Sequence, residues 1–374
     1  MTRILYAAFD RAPAPKGASR HILAFLRGLT TASLQVDACL LTAHDRLEGA
    51  RCLSCTLPEG HLLQRALAFG EWVRRYAQAG SYALIHFRSL WEGLALTQWP
   101  GHPPLVYEVN GLPSLEWPVL YPALQEQPGL LTKLRQQERA VVKNVEAVIT
   151  PSPITAALLR EWGARQVEVI PNGVNLAEWQ APQPVATAPE IFYMGTFSPW
   201  QGLNTLVEAF AHLSPPWRLR LIGERTRGEA GQLLRQAQGL AVADRLLIQP
   251  ALGLGVLARR LAQARVAVAP LVADPRNLQQ GACPIKILEY LAAGCPVVAS
   301  RLPTVEALLE HGASGWLVAP DNPIALAKGL CTVLNDAELT ARLRQGGLVV
   351  ARMFTWERAV ERVLAVYREL GVTP

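Results

Sequence analysis

One stretch decides the fold of this chain: Cys283-Pro284-Ile285-Lys286-Ile287-Leu288-Glu289-Tyr290-Leu291-Ala292-Ala293-Gly294-Cys295-Pro296-Val297-Val298-Ala299. It follows an apolar, strand-like run and a polar loop, and its own last residues are strand-like again. Pro284 suits the first position of a helix, because that position needs no N–H donor and proline already has the required φ. Lys286 and Glu289 would then share one helical face near the free N–H groups of the helix start. The stretch predicts a strand–loop–helix–strand unit with a cation, a carboxylate and a positive helix end at one sheet edge.

These charges suit a ligand that carries both phosphate and hydroxyl groups. Backbone N–H groups and Lys286 would bind phosphate, and Glu289 would accept hydrogen bonds from a diol, as a nucleotide-sugar requires. An ordinary surface helix with a Lys–Glu pair worth roughly 0.2–0.5 kcal/mol has the same spacing. Only five of the 36 basic residues are lysines, so a lysine where phosphate would bind slightly favours a site.

The composition predicts two domains without a membrane span. The chain has 374 residues, half of them hydrophobic and 18% charged, which is long for a single core. Arginines interrupt the longest apolar stretch, residues 246–273. Because the first residues lead into a strand and not into an export signal, we expect a cytoplasmic protein. Its six cysteines should then be reduced, and Cys52-x-x-Cys55 lacks the second cysteine pair of a closed zinc site.

The charge pattern favours a small anionic ligand over a nucleic acid. Residues 1–190 carry 17 basic against 16 acidic side chains, and residues 191–374 carry 19 against 14. The second half is the more positive, which suits an anion site there. No basic run is interleaved with aromatic residues, so nucleic acid is not expected as a partner. A helix over residues 61–79 combines arginines with leucines, and it suits either peripheral contact with the inner membrane face or packing on its own sheet.

Strand-like and helix-like segments alternate along the chain. The predicted strands are residues 3–9, 36–42, 82–87, 104–109, 147–150, 166–170, 190–195, 217–223, 246–249, 266–270, 296–300 and 315–318. Helices are predicted between most of them, and two more close the chain from about Ile324 and Trp356. Residues 171–189, rich in proline and alanine, interrupt the alternation and are predicted to be a linker. The pattern predicts two Rossmann-like α/β halves that face each other across a cleft, with ligands at the carboxyl ends of the strands.

Five motifs follow one another along the chain. They are Val169-Ile170-Pro171-Asn172-Gly173-Val174-Asn175, Tyr193-Met194-Gly195, Leu221-Ile222-Gly223, Pro284-x-Lys286-x-x-Glu289-Tyr290 and Gly312-Ala313-Ser314-Gly315-Trp316. In this order they resemble the retaining nucleotide-sugar glycosyltransferases of family 4, which have the GT-B fold. The resemblance covers almost the whole chain. It implies an acceptor-side domain over residues 1–175, a donor domain over 176–355, and a last helix, 356–374, that packs back on the first domain.

The resemblance also implies that Glu289 binds the ribose of the donor, but the donor site departs from the family pattern. The family usually has a second glutamate where Gly281 stands, and an arginine and a lysine where Thr196 and Gln201 stand. A retaining transfer needs the charge of the leaving diphosphate stabilised, and Lys286 and Arg276 are our candidates. The expected donor-binding residues are Gly195, Thr196, Gln201, Gly202, Gly223, Arg276, Gln280, Gly281, Pro284, Lys286 and Glu289. Some similar sequences share these departures, which favours a variant site over an inactive one.

On the acceptor side, a polar loop follows the strand over residues 104–109. Glu108 and Asn110 stand where many family members have a histidine near the transferred sugar, and with Lys286 they are the candidate catalytic residues. Glu108 would stabilise positive charge at the anomeric carbon or orient an acceptor hydroxyl, while Asn110 equally suits a turn with positive φ. The expected acceptor-binding residues are Gly17, Ser19, His86, Arg88 and Glu108. A glycine before a helix, or a single His or Arg, is as often structural.

The sequence therefore predicts a transferase that moves a hexose from a nucleoside diphosphate to a hydroxylated acceptor and retains the anomeric configuration. No cofactor or metal is expected, because no Asp-x-Asp pair follows a strand. Two alternatives stay open. A sugar-nucleotide epimerase or hydrolase of this fold would need more acid–base residues in the cleft. A non-catalytic sugar-nucleotide binder is suggested by Thr196, Gln201 and Gly281.

Overall fold

The computed structural model describes residues 2–179, 188–223 and 228–373. Two sheets form the framework, and helices cover both faces of each. Nearly all neighbouring strands are parallel, which confirms the α/β class predicted from the alternating pattern.

The first sheet has eight strands in the order β3-β4-β2-β1-β5-β6-β7-β8. The strands are β1 (Arg3–Ala7), β2 (Gln35–Cys39), β3 (Arg46–Leu47), β4 (Ala50–Leu53), β5 (Leu84–Phe87), β6 (Leu105–Glu108), β7 (Ala147–Thr150) and β8 (Val167–Val169). The helices of this half are α1 (Gly17–Thr31), α2 (Leu62–Ala79), α3 (Leu90–Leu96), α4 (Pro113–Leu120), α5 (Pro128–Lys143) and α6 (Pro153–Glu161). Only β3 and β4 pair antiparallel among these strands. The sequence pattern does not predict β3, β4, α3 or α4, because each is too short to establish a period.

The second sheet has six parallel strands in the order β11-β10-β9-β12-β13-β14. The strands are β9 (Glu190–Met194), β10 (Arg218–Gly223), β11 (Leu246–Pro250), β12 (Val266–Ala269), β13 (Val297–Ser300) and β14 (Trp316–Val318). The helices after β8 are α7 (Leu176–Trp179), α8 (Leu203–Ala211), α9 (Glu229–Gly239), α10 (Leu254–Gln263), α11 (Ile285–Ala292), α12 (Pro303–Glu306), α13 (Pro323–Asn335), α14 (Ala337–Met353) and α15 (Trp356–Glu369). A π-helical turn, Arg276–Gln280, precedes α11. The carboxyl ends of strands from both sheets face the space between the two halves.

The predicted linker and the predicted chain end both need correction. Residues 176–179 form helix α7, and its Trp179 is buried in the core of the second half. Residues 180–187 of the predicted linker lie outside the described residues. Three helices, not two, close the chain, since α14 is an additional one. The sequence pattern does not predict α14, because it contains Gly346 and glycine weakens a helix. Here it allows close packing, since a Cβ on Gly346 would lie 2.2 Å from the Ala313 carbonyl oxygen.

Helix α15 returns to the first half and packs on α1. Val363 and Tyr367 of α15 are buried in one core cluster with Ile22 and Phe25 of α1. The two helices approach closely at Gly28, where a Cβ would lie 2.4 Å from the Val360 side chain. This contact ties the end of the chain to its beginning. The domain boundaries at residues 175 and 355 stay a prediction.

Candidate functional site

A cleft of about 300 Å³ lies between the two halves, at the carboxyl ends of strands from both sheets. Eleven of the predicted site residues line it: Gly17, Arg88, Asn110, Gly195, Thr196, Gln201, Gly223, Arg276, Pro284, Lys286 and Glu289. Six predicted site residues do not line it: Ser19, His86, Glu108, Gly202, Gln280 and Gly281. The cleft therefore collects most of the predicted donor side and part of the predicted acceptor side.

Helix α11 places Lys286 in the cleft wall. Pro284 is the N-cap residue, with φ −72° and ψ 101°, so the helix begins at Ile285, one position later than predicted. Lys286 Nζ donates to the Tyr193 hydroxyl at 2.9 Å and to Gln201 Oε1 at 2.5 Å, and it lies 4.1 Å from the centre of the Tyr193 ring. Burial lowers the pKa of Lys286 to about 7, although the charge of Glu289 opposes this. Among the described residues, no carboxylate forms an ion pair with Lys286, so its charge is available to an anion.

Two glycines make room beside Lys286. A Cβ on Gly195 would lie 2.8 Å from Lys286 Nζ, and φ at Gly195 is +142°. A Cβ on Gly223 would lie 1.7 Å from the carbonyl oxygen of Gly195. Both positions therefore require glycine. Gly202 is also required, because its φ is +69° and a Cβ there would lie 1.8 Å from the Pro270 carbonyl oxygen, but this contact lies outside the cleft.

Glu289 meets an arginine from the other half of the molecule. Arg20 Nε lies 2.7 Å from Glu289 Oε1, and Arg20 Nη2 donates to Oε2 at 2.9 Å. The Glu289 side chain is 2% exposed. Burial raises its pKa to about 7, with Arg20 and Lys286 acting in the opposite direction. Arg20 is not among the residues predicted from the sequence, because its only sequence signal is its position one turn beyond the Gly17 loop.

Glu108 lies behind the cleft wall, at the centre of a buried polar cluster. Its carboxylate oxygens lie 2.8 Å from His21 Nε2, 3.1 Å from His86 Nε2 and 3.0 Å from Arg88 Nε. Asn110 Nδ2 also donates to it. Burial alone would raise the pKa of Glu108, but the charges of Arg88 and His21 and the hydrogen bonds from the histidines hold it well below its ordinary value. Both roles predicted for Glu108 need direct contact with substrate, which this position does not provide. Its contacts instead orient Arg88 and Asn110.

Two other predicted acceptor residues are also part of the scaffold. His86 is fully buried between Glu108 and the Tyr367 hydroxyl of α15, which lies 2.6 Å from its Nδ1. Burial lowers the pKa of His86. Ser19 is fully buried as well, and its hydroxyl accepts from the Ala14 N–H at 2.8 Å. These contacts fix the α1 start and attach α15 to the first sheet.

His21 and Asn172 connect the Glu108 cluster to the second half. His21 Nδ1 lies 2.7 Å from Asn172 Oδ1, and Asn172 Nδ2 donates to the Cys283 carbonyl oxygen at 2.7 Å. His21 thus lies between Glu108 of the first half and Asn172, which contacts the second half. Neither role is predicted from the sequence, although Asn172 stands inside one of the five motifs.

Gln280 and Gly281 join the two halves instead of lining the cleft. Gln280 Oε1 accepts from the Leu112 N–H at 2.9 Å, and Gln280 Nε2 donates to Glu116 at 3.0 Å. The Thr155 hydroxyl donates to the Gln280 carbonyl oxygen. Gly281 has φ +74°, and a Cβ there would lie 2.4 Å from Ser152 Oγ. The predicted donor contacts of these two residues are therefore replaced by contacts with the first half.

The structure also bears on the predicted metal, thiol and membrane properties. In the described ranges, no group of three or more His, Cys, Asp or Glu side chains is placed to hold a metal ion. The six cysteines are free thiols. None of the helices within these ranges combines the length and apolarity of a membrane span. Helix α2 exposes Leu62 and Leu67, which are 50% and 46% accessible.

Comparison with known proteins gives a consistent family assignment. Residues 15–178 match the family described as Glycosyltransferase Family 4, and residues 188–336 match that described as Glycosyl transferases group 1. A D-inositol 3-phosphate glycosyltransferase of Xylanimonas cellulosilytica is 28% identical over 317 residues, which cover 78% of this chain and 72% of that protein.

Solved structures support the fold assignment. Sucrose-phosphate synthase from Thermosynechococcus elongatus has a TM-score of 0.81 at 22% identity, with 99% of both chains covered. HepE of Anabaena, solved with UDP and glucose, has a TM-score of 0.78 at 20% identity, covering 98% of this chain and all of that one. The chain is therefore a glycosyltransferase with a Family 4 domain followed by a group 1 domain, and it has the GT-B fold, as its motifs predict.

Proposed function

We propose that this protein transfers a sugar from a nucleoside diphosphate sugar to a hydroxylated acceptor and retains the anomeric configuration. One observation carries the proposal: a single cleft brings Lys286, Glu289 and the start of α11 opposite Arg88 and Asn110 of the first half. The first set suits a ribose and a diphosphate, and the second suits hydroxyl groups.

The donor would lie along the second half. The start of α11 and Lys286 would hold the diphosphate, because both carry positive charge that no acidic residue of the first helical turn offsets. Glu289 would accept from the ribose hydroxyls. The apolar side chains of Ile222, Leu252 and Leu257 line the same cleft and would contact the base.

Transfer would break the bond between the anomeric carbon and the diphosphate oxygen. The acceptor oxygen would form the new bond on the same face, and the departing phosphate would take the acceptor proton. Lys286 would stabilise the charge that develops on the leaving group. Arg88 and Asn110 would orient the acceptor, with Glu108 as a positioning residue behind them. This mechanism needs no metal, so EDTA should leave the rate unchanged.

The first experiment is thermal unfolding with UDP, GDP, ADP and their sugar conjugates. HepE was solved with UDP, which makes UDP a reasonable first ligand. A ligand of the folded state raises the unfolding midpoint by mass action, and Glu289→Gln should reduce the shift. Glu338→Gln is the matched control, because Glu338 is an exposed residue of the same half, in α14. If no nucleotide raises the wild-type midpoint, the donor site does not exist as proposed.

The second experiment is transfer from the donor so identified. D-inositol 3-phosphate belongs in the acceptor panel because a relative is named for it. NMR coupling constants of the product would report the anomeric configuration, and inversion would contradict the mechanism. Turnover without an acceptor would favour the hydrolase or epimerase alternative. Nucleotide binding without turnover on any acceptor would favour the non-catalytic binder.

A further inference from the structure

The donor site lacks two positive charges that the family usually supplies from the second half. Thr196 and Gln201 stand at those positions, and both line the cleft. Gln201 contributes only indirectly, since its side-chain oxygen accepts from Lys286. Arg276 also lines the cleft, but it lies 3.5 Å from the carboxylate of Glu116, which offsets its charge. A dianionic diphosphate opposite Lys286, with Arg276 offset in this way, would be poorly neutralised. A further cation is therefore needed on the other wall of the cleft.

Arg20 is positioned on that wall by a close approach of two helix starts. Gly17, the first residue of α1, faces Ile285, the first residue of α11, and a Cβ on Gly17 would lie 3.4 Å from Ile285 Cδ1. Neither helix has an acidic residue in its first turn. Arg20 lies one turn into α1, and Glu289 lies one turn into α11. The two positive helix ends and Arg20 thus surround the same part of the cleft.

The guanidinium of Arg20 has donors left over. In its pair with Glu289, Nη2 donates to Oε2, and Nε lies 2.7 Å from Oε1 without forming a hydrogen bond. A guanidinium has five N–H donors in a fixed plane, so the Nη1 end remains for a second anion. Within the described residues, no acceptor other than Glu289 contacts the side chain of Arg20, which is 31% exposed.

The other cations of the first-half wall are held by carboxylates outside the cleft. Lys16 lies 2.5 Å from Asp10, and Arg88 is bound by Glu108. Arg20 differs because its partner, Glu289, itself lines the cleft and is proposed to accept hydrogen bonds from the ribose hydroxyls. A donor bound at Glu289 would therefore bring its phosphates close to Arg20.

We propose that Arg20, from the first half of the chain, binds the donor diphosphate in place of the cations missing at Thr196 and Gln201. The proposal rests on the nucleotide-sugar function proposed above. Glu289 would then bind the ribose hydroxyls and also orient Arg20. It also makes tight donor binding depend on contact between the two halves, because α1 and α11 must meet for the site to be complete.

The test compares how Arg20 affects the binding of the diphosphate with how it affects the binding of the nucleoside. Thermal unfolding first identifies which of UDP, GDP and ADP binds the wild type. Dissociation constants are then measured for that diphosphate by calorimetry, and for its nucleoside and inorganic pyrophosphate by NMR titration. Arg20→Gln should weaken the diphosphate and pyrophosphate by about 10- to 100-fold, the range for one charged hydrogen bond. Binding of the nucleoside should stay nearly unchanged.

Three further variants control the experiment. Arg27→Gln removes the same charge from the same helix, where Arg27 pairs with Glu48 away from the cleft, and should change none of the three constants. Arg20→Lys keeps the charge and should restore part of the pyrophosphate affinity. Because Arg20→Gln leaves the buried Glu289 without its partner, the comparison is repeated in a Glu289→Gln background. There Arg20→Gln should still weaken pyrophosphate.

The outcomes distinguish this inference from the proposed function. Equal losses for nucleoside and diphosphate would mean that Arg20 acts only through Glu289, and would overturn the inference. Unchanged diphosphate binding in Arg20→Gln would overturn it as well, and in both cases the donor site itself would stand. If no diphosphate binds the wild type, the proposed function fails first and the role of Arg20 fails with it.

Discussion

Replacing Glu108 by alanine should cost this protein a large part of its stability. The carboxylate is 2% exposed and lies within 3.1 Å of nitrogen atoms of Arg88, His21 and His86. Glu108→Ala leaves the Arg88 side chain, itself only 8% exposed, without a counter-charge. Removing one partner of a buried ion pair costs about 3–5 kcal/mol. Since whole domains are stable by only about 5–15 kcal/mol, the loss would be large.

The same reasoning predicts a partial rescue. Arg88→Met in the Glu108→Ala background removes the unpaired charge and keeps an unbranched apolar side chain in its place. The double variant should therefore lose about 1–3 kcal/mol less than the sum of the single losses, as expected for residues in direct contact. Strict additivity would show that the pair does not interact energetically.

The stabilisation that the Glu108 charge provides should also depend on pH. The folded-state pKa of Glu108 is well below its ordinary value of 4.5, so the unfolded chain binds its proton at higher pH than the folded protein. The stabilisation from the Glu108 charge is then fully present above about pH 4.5 and is lost as pH falls toward the folded pKa. The stability difference between wild type and Glu108→Gln should be constant from neutral pH down to about 5 and should narrow below that.

Urea unfolding followed by circular dichroism measures these free energies of unfolding. An exposed ion pair supplies the control. Glu168 and Arg362 also form an ion pair, but their side chains are 39% and 48% exposed. Glu168→Ala should cost less than about 1 kcal/mol. The reasoning about Glu108 is refuted if Glu108→Ala costs no more than this control, or if its cost is the same at pH 4 and pH 7.

Three further predictions concern the cleft and the surface of α2. Burial holds the pKa of Lys286 near 7 in the empty cleft, so a diphosphate must draw a proton onto it at higher pH. Affinity should fall between pH 7 and 9 by up to about tenfold per unit, and Lys286→Met should abolish this slope in calorimetric titrations. Gly223→Ala would place a Cβ 1.7 Å from the Gly195 carbonyl oxygen, and should remove the nucleotide-induced midpoint shift, whereas Gly239→Ala, with nothing within 4 Å, should not. If α2 contacts a membrane, replacing its two exposed leucines by serine should reduce co-sedimentation with anionic vesicles, and equal sedimentation would exclude that contact.

The framework of the fold could be predicted because parallel strands covered by helices leave a strong pattern in the sequence. Apolar runs such as Val266–Ala269 and Val297–Ser300 alternate with amphipathic helices, and that alternation alone implies the two sheets. Short elements leave no such pattern. Helix α4 has eight residues with Pro118 inside, so no apolar period identifies it.

The contents of the cleft could be predicted only in part, because the sequence places a residue at a strand end without giving the direction of its side chain. Glu108 ends β6 and Asn110 follows it, yet Glu108 is buried behind the cleft wall, whereas Asn110 lines the cleft while its amide donates to Glu108. The pair of Arg20 with Glu289 joins residues 269 positions apart, and no local spacing encodes such a contact. Long-range electrostatic partners therefore had to come from the structure.

The departures from the family pattern have structural roles of their own. Gln201 accepts from Lys286, and Gly281 lies against Ser152 where no larger residue would fit, since a Cβ there would lie 2.4 Å from Ser152 Oγ and φ is +74°. A glutamate at position 281 would collide with the contact between the two halves. A site that had merely decayed would leave such positions open to many residues. The close fit favours a rearranged donor site whose missing charge comes from the opposite wall, which the pyrophosphate titration of Arg20→Gln tests directly.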